Sequence, residues 1–274
     1  MTDLSFYQTL LIVCPLVFLA GFIDSIAGGG GVISLPAYLA TGLPPHLAAG
    51  TNKCSAMFGT SVAAWKYRSG GHMRAREAGL AAAFALPGAW IGVRIALALN
   101  PAVLRGAMLV VIPLVAAFMA LRGRNRSGEA VAAGLPERYR ERFPERTGTA
   151  RALELILPAA VGFAVGLYDG LIGPGTGTFL IVAFSALLGR TLVVSSGNAK
   201  LVNLASNAIS GIVFFMSGKV WIALAIPAAC CTVAGGWLGS HLAVKNGARV
   251  IRPVMFAVLA LLFAKIGLDL FGIL

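Results

Sequence analysis

The sequence predicts an all-α, polytopic membrane protein built from two related halves. The 274-residue chain is 58% hydrophobic and only 12% charged, whereas soluble domains have about 25% charged residues. Its apolar residues form runs of membrane-spanning length. Landmarks of the first half also recur in the second at a nearly constant distance. We therefore expect two inverted repeats of about five helical segments each, with broken or short helices at glycine-rich motifs.

Each half is predicted to contain five apolar segments, of which the second is short. A helix rises about 1.5 Å per residue, so a segment of 12 to 14 residues does not cross a hydrocarbon core of about 30 Å unaided. The predicted domains are a first repeat over 1–121, a basic connector over 122–152 and a second repeat over 153–274. The segments are 7–27, 32–43, 47–65, 78–98 and 102–121, then 153–172, 175–188, 192–216, 220–243 and 251–271.

The internal duplication is visible in individual residues as well as in hydropathy. Two pairs are 145 residues apart, Asp24 with Asp169 and Gly28 with Gly173. Three further pairs are 147 residues apart: Lys53 with Lys200, Trp90 with Trp237, and Arg105 with Arg252. Agreement between five landmarks indicates duplication of the whole unit. We expect Trp90 and Trp237, with their flanking glycines, to pack between helices.

The basic residues predict the orientation in the membrane. Of 22 Lys and Arg residues, four lie between Lys66 and Arg76 and eight between Arg122 and Arg151. Such clusters between apolar segments are typical of cytoplasmic loops, and they argue against nucleic-acid binding. Placing both loops inside puts both termini outside and makes the halves inverted. If both short segments instead re-enter, each half crosses four times and the halves are parallel.

The glycine clusters interrupt membrane helices at corresponding places in the two halves. Backbone can unwind inside a membrane only where protein or a water-filled cavity replaces the lost hydrogen bonds. Interrupted segments at equivalent positions of two repeats are typical of transporter binding sites. The amides at the start of each short segment carry about half a positive charge, which suits an anion. The alternative is close helix packing. The clusters are Gly28, Gly29, Gly30 and Gly31, and Gly173, Gly175, Thr176 and Gly177.

Four ionisable residues inside the predicted spans require an explanation. Each charge in a span costs about 2.5–3.5 kcal/mol on insertion scales. Lys53 and Lys200 lie among small polar residues, which favours a wet cavity in which they bind an anion. Asp24 and Asp169 are candidates for proton coupling. The alternative is that acids and bases form salt bridges that hold the scaffold together.

Nothing in the sequence indicates an enzyme, a metal site or a cofactor. The three histidines are scattered, and the four cysteines lie in apolar segments without metal-type spacing. We interpret the cysteines as small apolar side chains.

The two motif pairs resemble the sulfite exporter TauE/SafE family, also called the toluene-sulfonate uptake permease family. The resemblance depends on Gly21, Asp24 and Gly28–Gly31 with Gly50–Lys53, and on Asp169 and Gly173–Gly177 with Gly197–Lys200 and Asn203. It implies a multi-pass protein of the bacterial inner membrane that moves sulfur-containing anions. It also implies a site formed by the glycine turns together with Thr51, Asn52, Lys53, Asn198, Lys200 and Asn203.

The resulting hypothesis is a secondary carrier for a small anion such as sulfite, a sulfonate or sulfoacetate. Access to a midplane site would alternate as one half rocks against the other. A passive anion channel on the same scaffold is the alternative. The expected partners are the anion and the lipid bilayer, with a homodimer as the alternative to a monomer.

Overall fold

The computed structural model describes residues 5–104, 106, 148–251 and 253–254, in which all regular structure is helical. We label the helices of these ranges α1 to α8 in chain order. Connector residues 122–147 and most of the predicted segments 102–121 and 251–271 lie outside the described residues. The helices are α1 Phe6–Ala27, α2 Gly31–Ala40, α3 Pro45–Ser69, α4 Ala75–Ala98, α5 Gly148–Leu171, α6 Thr176–Ala186, α7 Leu192–Met216 and α8 Ile222–Asn246.

The predicted polytopic all-α architecture is confirmed. In the described part of the chain α1, α4, α7 and α8 are long and apolar enough to cross a membrane. α3 has 25 residues but is less apolar, because it carries several polar candidate site residues. α5 begins at Gly148, so the last five residues of the predicted connector are helical. Hydropathy marks where a span meets lipid, whereas the helix continues into the polar residues beyond.

Both predicted helix breaks are present. α1 ends at Ala27 and α2 begins at Gly31, while α5 ends at Leu171 and α6 begins at Thr176. The connecting backbone has positive φ at Gly28 (76°) and Gly29 (87°), and at Gly173 (89°) and Gly175 (85°). Only glycine adopts this region without a steric cost, so the glycines are what let each helix stop and reverse.

The first helix of each half packs against the fourth helix of the other half. A Cβ added at Gly88 in α4 would lie 2.3 Å from the Phe163 oxygen in α5. The equivalent Gly235 in α8 lies against Phe18 in α1, where the distance would be 2.1 Å. Small residues allow backbones to approach this closely in a membrane. The duplication thus extends to the contacts between helices.

Trp90 and Trp237 do not share the packing role of their flanking glycines. Each of these side chains is 47% exposed. Arg94 lies over the Trp90 ring with 5.6 Å to the ring centroid, and Trp237 stacks on His241. The flanking glycines therefore pack between helices as expected, whereas the tryptophan side chains do not. They lie beside glycines because a backbone contact on one helix face leaves the large side chain on the outer face.

The direction of the helices follows from the order of their contacts. Gly50 of α3 lies beside Phe214 of α7, whereas Tyr67 near the other end of α3 lies beside Gly197. Residues later in α3 therefore contact residues earlier in α7, so these two equivalent helices run in opposite directions. α1 and α8 instead run in the same direction, since Phe18 contacts Gly235 and Phe22 contacts Gly239.

Two glycines of α4 allow a matched test of this packing. Gly88→Ala is expected to destabilise the protein, because the new methyl group would meet the Phe163 oxygen at 2.3 Å. Gly79→Ala has no atom within 4 Å of the new Cβ and should stabilise the helix by about 0.5–1 kcal/mol. Thermal unfolding of the purified variants provides the measurement. Equal midpoints for the two variants would contradict the proposed contact.

Candidate functional site

The two helix breaks meet face to face. A Cβ at Gly28 would lie 2.3 Å from the Gly177 carbonyl carbon, and one at Gly31 would lie 3.2 Å from Pro174 Cα. The Thr178 hydroxyl donates to the Ala27 carbonyl oxygen at 3.1 Å across the junction. The interrupted backbone of each half is therefore packed against that of the other, as a shared site requires.

A cavity of about 50 Å³ lies at this junction. A water molecule needs about 10–15 Å³ of such space, so the cavity has room for a few waters. Its lining combines the glycine breaks with small and polar side chains from α1, α3, α7 and α8. The predicted site residues that line it are Asp24, Gly29, Gly30, Gly31, Asn52, Lys53, Asp169, Gly173, Gly175, Thr176 and Asn203.

The four ionisable residues of the predicted spans form two ion pairs that cross between the halves. Lys53 Nζ of the first half lies 2.6 Å from Asp169 Oδ2 of the second. Lys200 Nζ of the second half lies 2.8 Å from Asp24 Oδ2 of the first and also donates to the Asp24 backbone oxygen. Pairing removes the need to place an isolated charge in lipid. The scaffold interpretation of these residues therefore has direct geometric support.

Each carboxylate also accepts a hydrogen bond at the helix break of its own half. Asp24 Oδ1 accepts from the Gly30 amide at 3.2 Å, and Asp169 Oδ1 accepts from the Thr176 hydroxyl at 2.7 Å. The start of each short helix thus already faces a negative group. An anion that binds at these helix ends must share or replace the interaction with the carboxylate.

Three asparagines place side-chain amides at the cavity. Asn52 is 8% exposed, and its Oδ1 has no hydrogen-bond partner in the described part of the chain. Asn203 is 5% exposed and lines the same cavity. Asn207 Oδ1 accepts from Lys53 Nζ at 3.1 Å. A buried acceptor without a partner costs about 1–3 kcal/mol, so Asn52 Oδ1 requires a hydrogen-bond donor, such as a water molecule, in the cavity.

Two predicted binding residues lie in the scaffold instead. Thr51 Oγ1 accepts from the Trp221 amide at 3.0 Å, and Asn198 Oδ1 accepts from the Arg74 amide at 2.8 Å. Trp221 and Arg74 are the N-caps of α8 and α4, so the two contacts are equivalent in the duplication. Neither side chain lines the cavity, nor do Lys200 and Gly28. These four residues lie outside the cavity lining and contribute to the helix packing around it.

Sequence reasoning did not assign several residues that line the cavity. Thr60 and Ala56 follow Asn52 at four-residue spacing on α3, and Asn207 follows Asn203 in the same way on α7. This spacing places them on one helix face, so their position beside Asn52 and Asn203 could have been predicted from the sequence. Thr232 had no such signal, because α8 comes close to α3 only in the folded structure. The additional lining residues include Gly21, Ser34, Ala56, Gly59, Thr60, Asn207 and Thr232.

The Lys53–Asp169 pair makes a prediction about stability. Asp169→Asn should destabilise the protein by about 3–5 kcal/mol, because it leaves the buried Lys53 charge uncompensated. The double variant Lys53→Met with Asp169→Asn should recover most of the loss, since neither charge then remains. Thermal unfolding measures both effects. Lys219→Met, at an exposed lysine, is the matched control. A double variant less stable than Asp169→Asn would contradict a pairing role.

Comparisons with known proteins agree with this architecture. The model of the family "Sulfite exporter TauE/SafE" matches residues 13–266. A "Probable membrane transporter protein ORF9" from Sinorhizobium sp is 30% identical over 94% of this chain and 92% of its own length. The Escherichia coli K12 "Probable membrane transporter protein YfcA" is 30% identical over 97% of this chain and 95% of its own length. No solved structure matches the chain.

The family match and these similarities extend over almost the whole chain. The protein is therefore a multi-pass membrane protein that belongs to the TauE/SafE sulfite exporter family of membrane transporters.

Proposed function

We propose that the protein is a secondary carrier of the inner membrane for small sulfur-containing anions such as sulfite, sulfonates or sulfoacetate. The observation that carries the proposal is the cavity at the junction of the two helix breaks, which is lined by Lys53 and by the side-chain amides of Asn52, Asn203 and Asn207. The name of the family adds the sulfur chemistry of the substrate.

The cavity offers hydrogen-bond donors to an anion, but it offers little net charge. The amides of Asn52, Asn203 and Asn207 each carry two N–H donors, and Lys53 lines the same wall. Both lysines, however, are already paired with carboxylates. An anion therefore binds favourably only if a lysine is released from its ion pair, or a carboxylate is neutralised, at the same time.

Protonation of Asp24 would remove a negative charge and leave Lys200 as the compensating cation. Asp24 is the freer carboxylate, with a side chain that is 18% exposed against 2% for Asp169. Asp169 accepts from Thr176, and from Ser206 at 2.6 Å. The positions equivalent to these two donors in the first half are Gly31 and Gly59, which have no hydroxyl. Proton-coupled transport through Asp24 is thus part of the proposal.

Alternating access requires two bodies that move against each other around the cavity. Opposite directions of the equivalent helices α3 and α7 support the inverted arrangement of the halves. Both halves contribute lining residues, so a rocking motion would open the cavity to one side and then the other. The basic loop between Lys66 and Arg76 would lie in the cytoplasm, with both termini outside.

Variants of the cavity amides test the proposed binding site. Asn52→Ala and Asn203→Ala should each weaken the apparent affinity for sulfite about tenfold, since a hydrogen bond to a charged group contributes about 1.5–3 kcal/mol. Uptake of sulfite and of sulfoacetate into proteoliposomes provides the measurement. Asn246→Ala, at an exposed position of α8, is the control. Wild-type affinity in both cavity variants would remove the cavity from the mechanism.

Counterflow separates the carrier from a passive anion channel on the same scaffold. An excess of unlabelled substrate inside the vesicles should drive transient accumulation of labelled substrate if one site alternates between the two sides. A channel equilibrates the label without accumulation.

Asp24 makes a separate prediction about coupling. Asp24→Asn mimics the protonated carboxyl group, so it should abolish accumulation driven by a pH gradient while retaining exchange of labelled for unlabelled anion. It also leaves the buried Lys200 without its carboxylate, so the variant should be less stable, and thermal unfolding is measured alongside transport. Asp169→Asn, at a carboxylate held by three donors, is the comparison. Gradient-driven accumulation that persists in Asp24→Asn would exclude Asp24 as the coupling group.

A further inference from the structure

A second cavity, of about 330 Å³, lies away from the helix breaks at the start of α4. Its polar wall contains Arg74, Arg76, Glu77 and Arg190, and its apolar wall includes Leu155 and Leu188. We call it the arginine cavity. It brings together α4 of the first half with α5 and the α6–α7 loop of the second.

The arginine cavity carries an excess of positive charge. Glu77 is the carboxylate in its lining, and both Glu77 oxygens accept from Arg190, with Nε at 3.0 Å from Oε2. Arg74 Nη1 makes a longer contact of 3.4 Å with the same carboxylate. Arg76 has no ion pair within the described ranges and is exposed. Three guanidinium groups against one carboxylate leave donors that suit an anionic group.

The arginine cavity lies at one end of a candidate membrane span. α4, which extends over Ala75–Ala98, is long and apolar enough to cross a membrane, and Arg74 and Arg76 lie at its start. Leu155, which is 45% exposed, belongs to the same lining. Arginines at the end of a span can reach the phosphate headgroups, where a neighbouring exposed leucine can contact acyl chains.

The duplication shows that the fold does not require these charges. The positions equivalent to Arg74, Arg76, Glu77 and Arg190, at the offset of 147, are Trp221, Ala223, Leu224 and Leu43. Leu43 and Leu224 belong to one buried apolar cluster. The same corner is thus built from apolar side chains at the other end of the molecule, so the arginines need another explanation.

We propose that the arginine cavity binds the phosphate headgroup of an anionic phospholipid such as phosphatidylglycerol. Planar guanidinium groups match two phosphate oxygens at once, and Leu155 with Leu188 provides an apolar surface for an acyl chain. A lipid bound here contacts both halves beside the Glu77–Arg190 ion pair. The proposal does not depend on which anion is transported.

The test titrates the purified full-length protein in detergent with phosphatidylglycerol, phosphatidylcholine or inorganic phosphate and follows thermal unfolding. Phosphatidylglycerol should raise the unfolding midpoint saturably, whereas the other two should not at matched concentrations. Arg76→Gln should weaken the apparent affinity for phosphatidylglycerol about fivefold. Arg68→Gln removes the same charge from an exposed position on α3 outside the cavity and should leave the affinity unchanged.

Each other outcome overturns part or all of the proposal. Equal effects of phosphatidylcholine would show that no anionic headgroup is recognised. An equal effect of inorganic phosphate would show that the arginine cavity binds a simple anion and does not recognise a lipid. Equal losses in Arg76→Gln and Arg68→Gln would indicate general surface charge and no site. Arg74→Gln provides a second cavity variant should Arg76→Gln fail to fold, and wild-type affinity in Arg74→Gln would then contradict the site.

Discussion

The pairing of buried charges across the two halves is the constraint on which the rest of the structure depends. Lys53 and Lys200 lie in an environment where an isolated charge is costly, so each must have a carboxylate within reach. Asp169 and Asp24 provide these partners from the opposite half. Because each aspartate also accepts a hydrogen bond from the helix break of its own half, the pairs fix the breaks against each other. Neither half can satisfy its own charges in this arrangement.

Close backbone packing supplies the attraction that apolar side chains do not supply in lipid. Gly162, Gly166 and Gly170 of α5 lie directly against Ala81, Ala85 and Ala89 of α4. The equivalent Gly21 of α1 lies against Thr232 of α8. Such contacts exclude side chains from the interface, so the backbones of helices from the two halves approach each other closely.

The fold was largely predictable from the sequence because each of its signals is local. Apolar length marks the helices, and clustered glycines mark the two breaks, which α2 and α6 confirm. The recurrence of Asp24 and Lys53 at a fixed distance indicated the duplication. These patterns require no knowledge of which helices are neighbours.

The site was less predictable because its chemistry is set by contacts between helices. Sequence alone did not show that the base of one half pairs with the acid of the other. It also did not show that Thr51 and Asn198 are used by the N-caps of α8 and α4, since the partners are 170 and 124 residues away. Polar residues beside a buried lysine look alike in sequence whether they face a cavity or a neighbouring backbone.

The size of the cavity bears on how the proposed carrier would open. With room for a few waters, the cavity would have to enlarge for a sulfonate to enter. At one wall side-chain rotation provides no space, because Gly21 and Gly59 lie against the Thr232 backbone, where a Cβ would come within 2.8 Å and 2.5 Å of its oxygen. α8 belongs to the second half, whereas α1 and α3 belong to the first. In the proposed carrier, enlargement would involve a displacement of α8 relative to α1 and α3, and the crossed ion pairs are what such a motion would stretch or exchange.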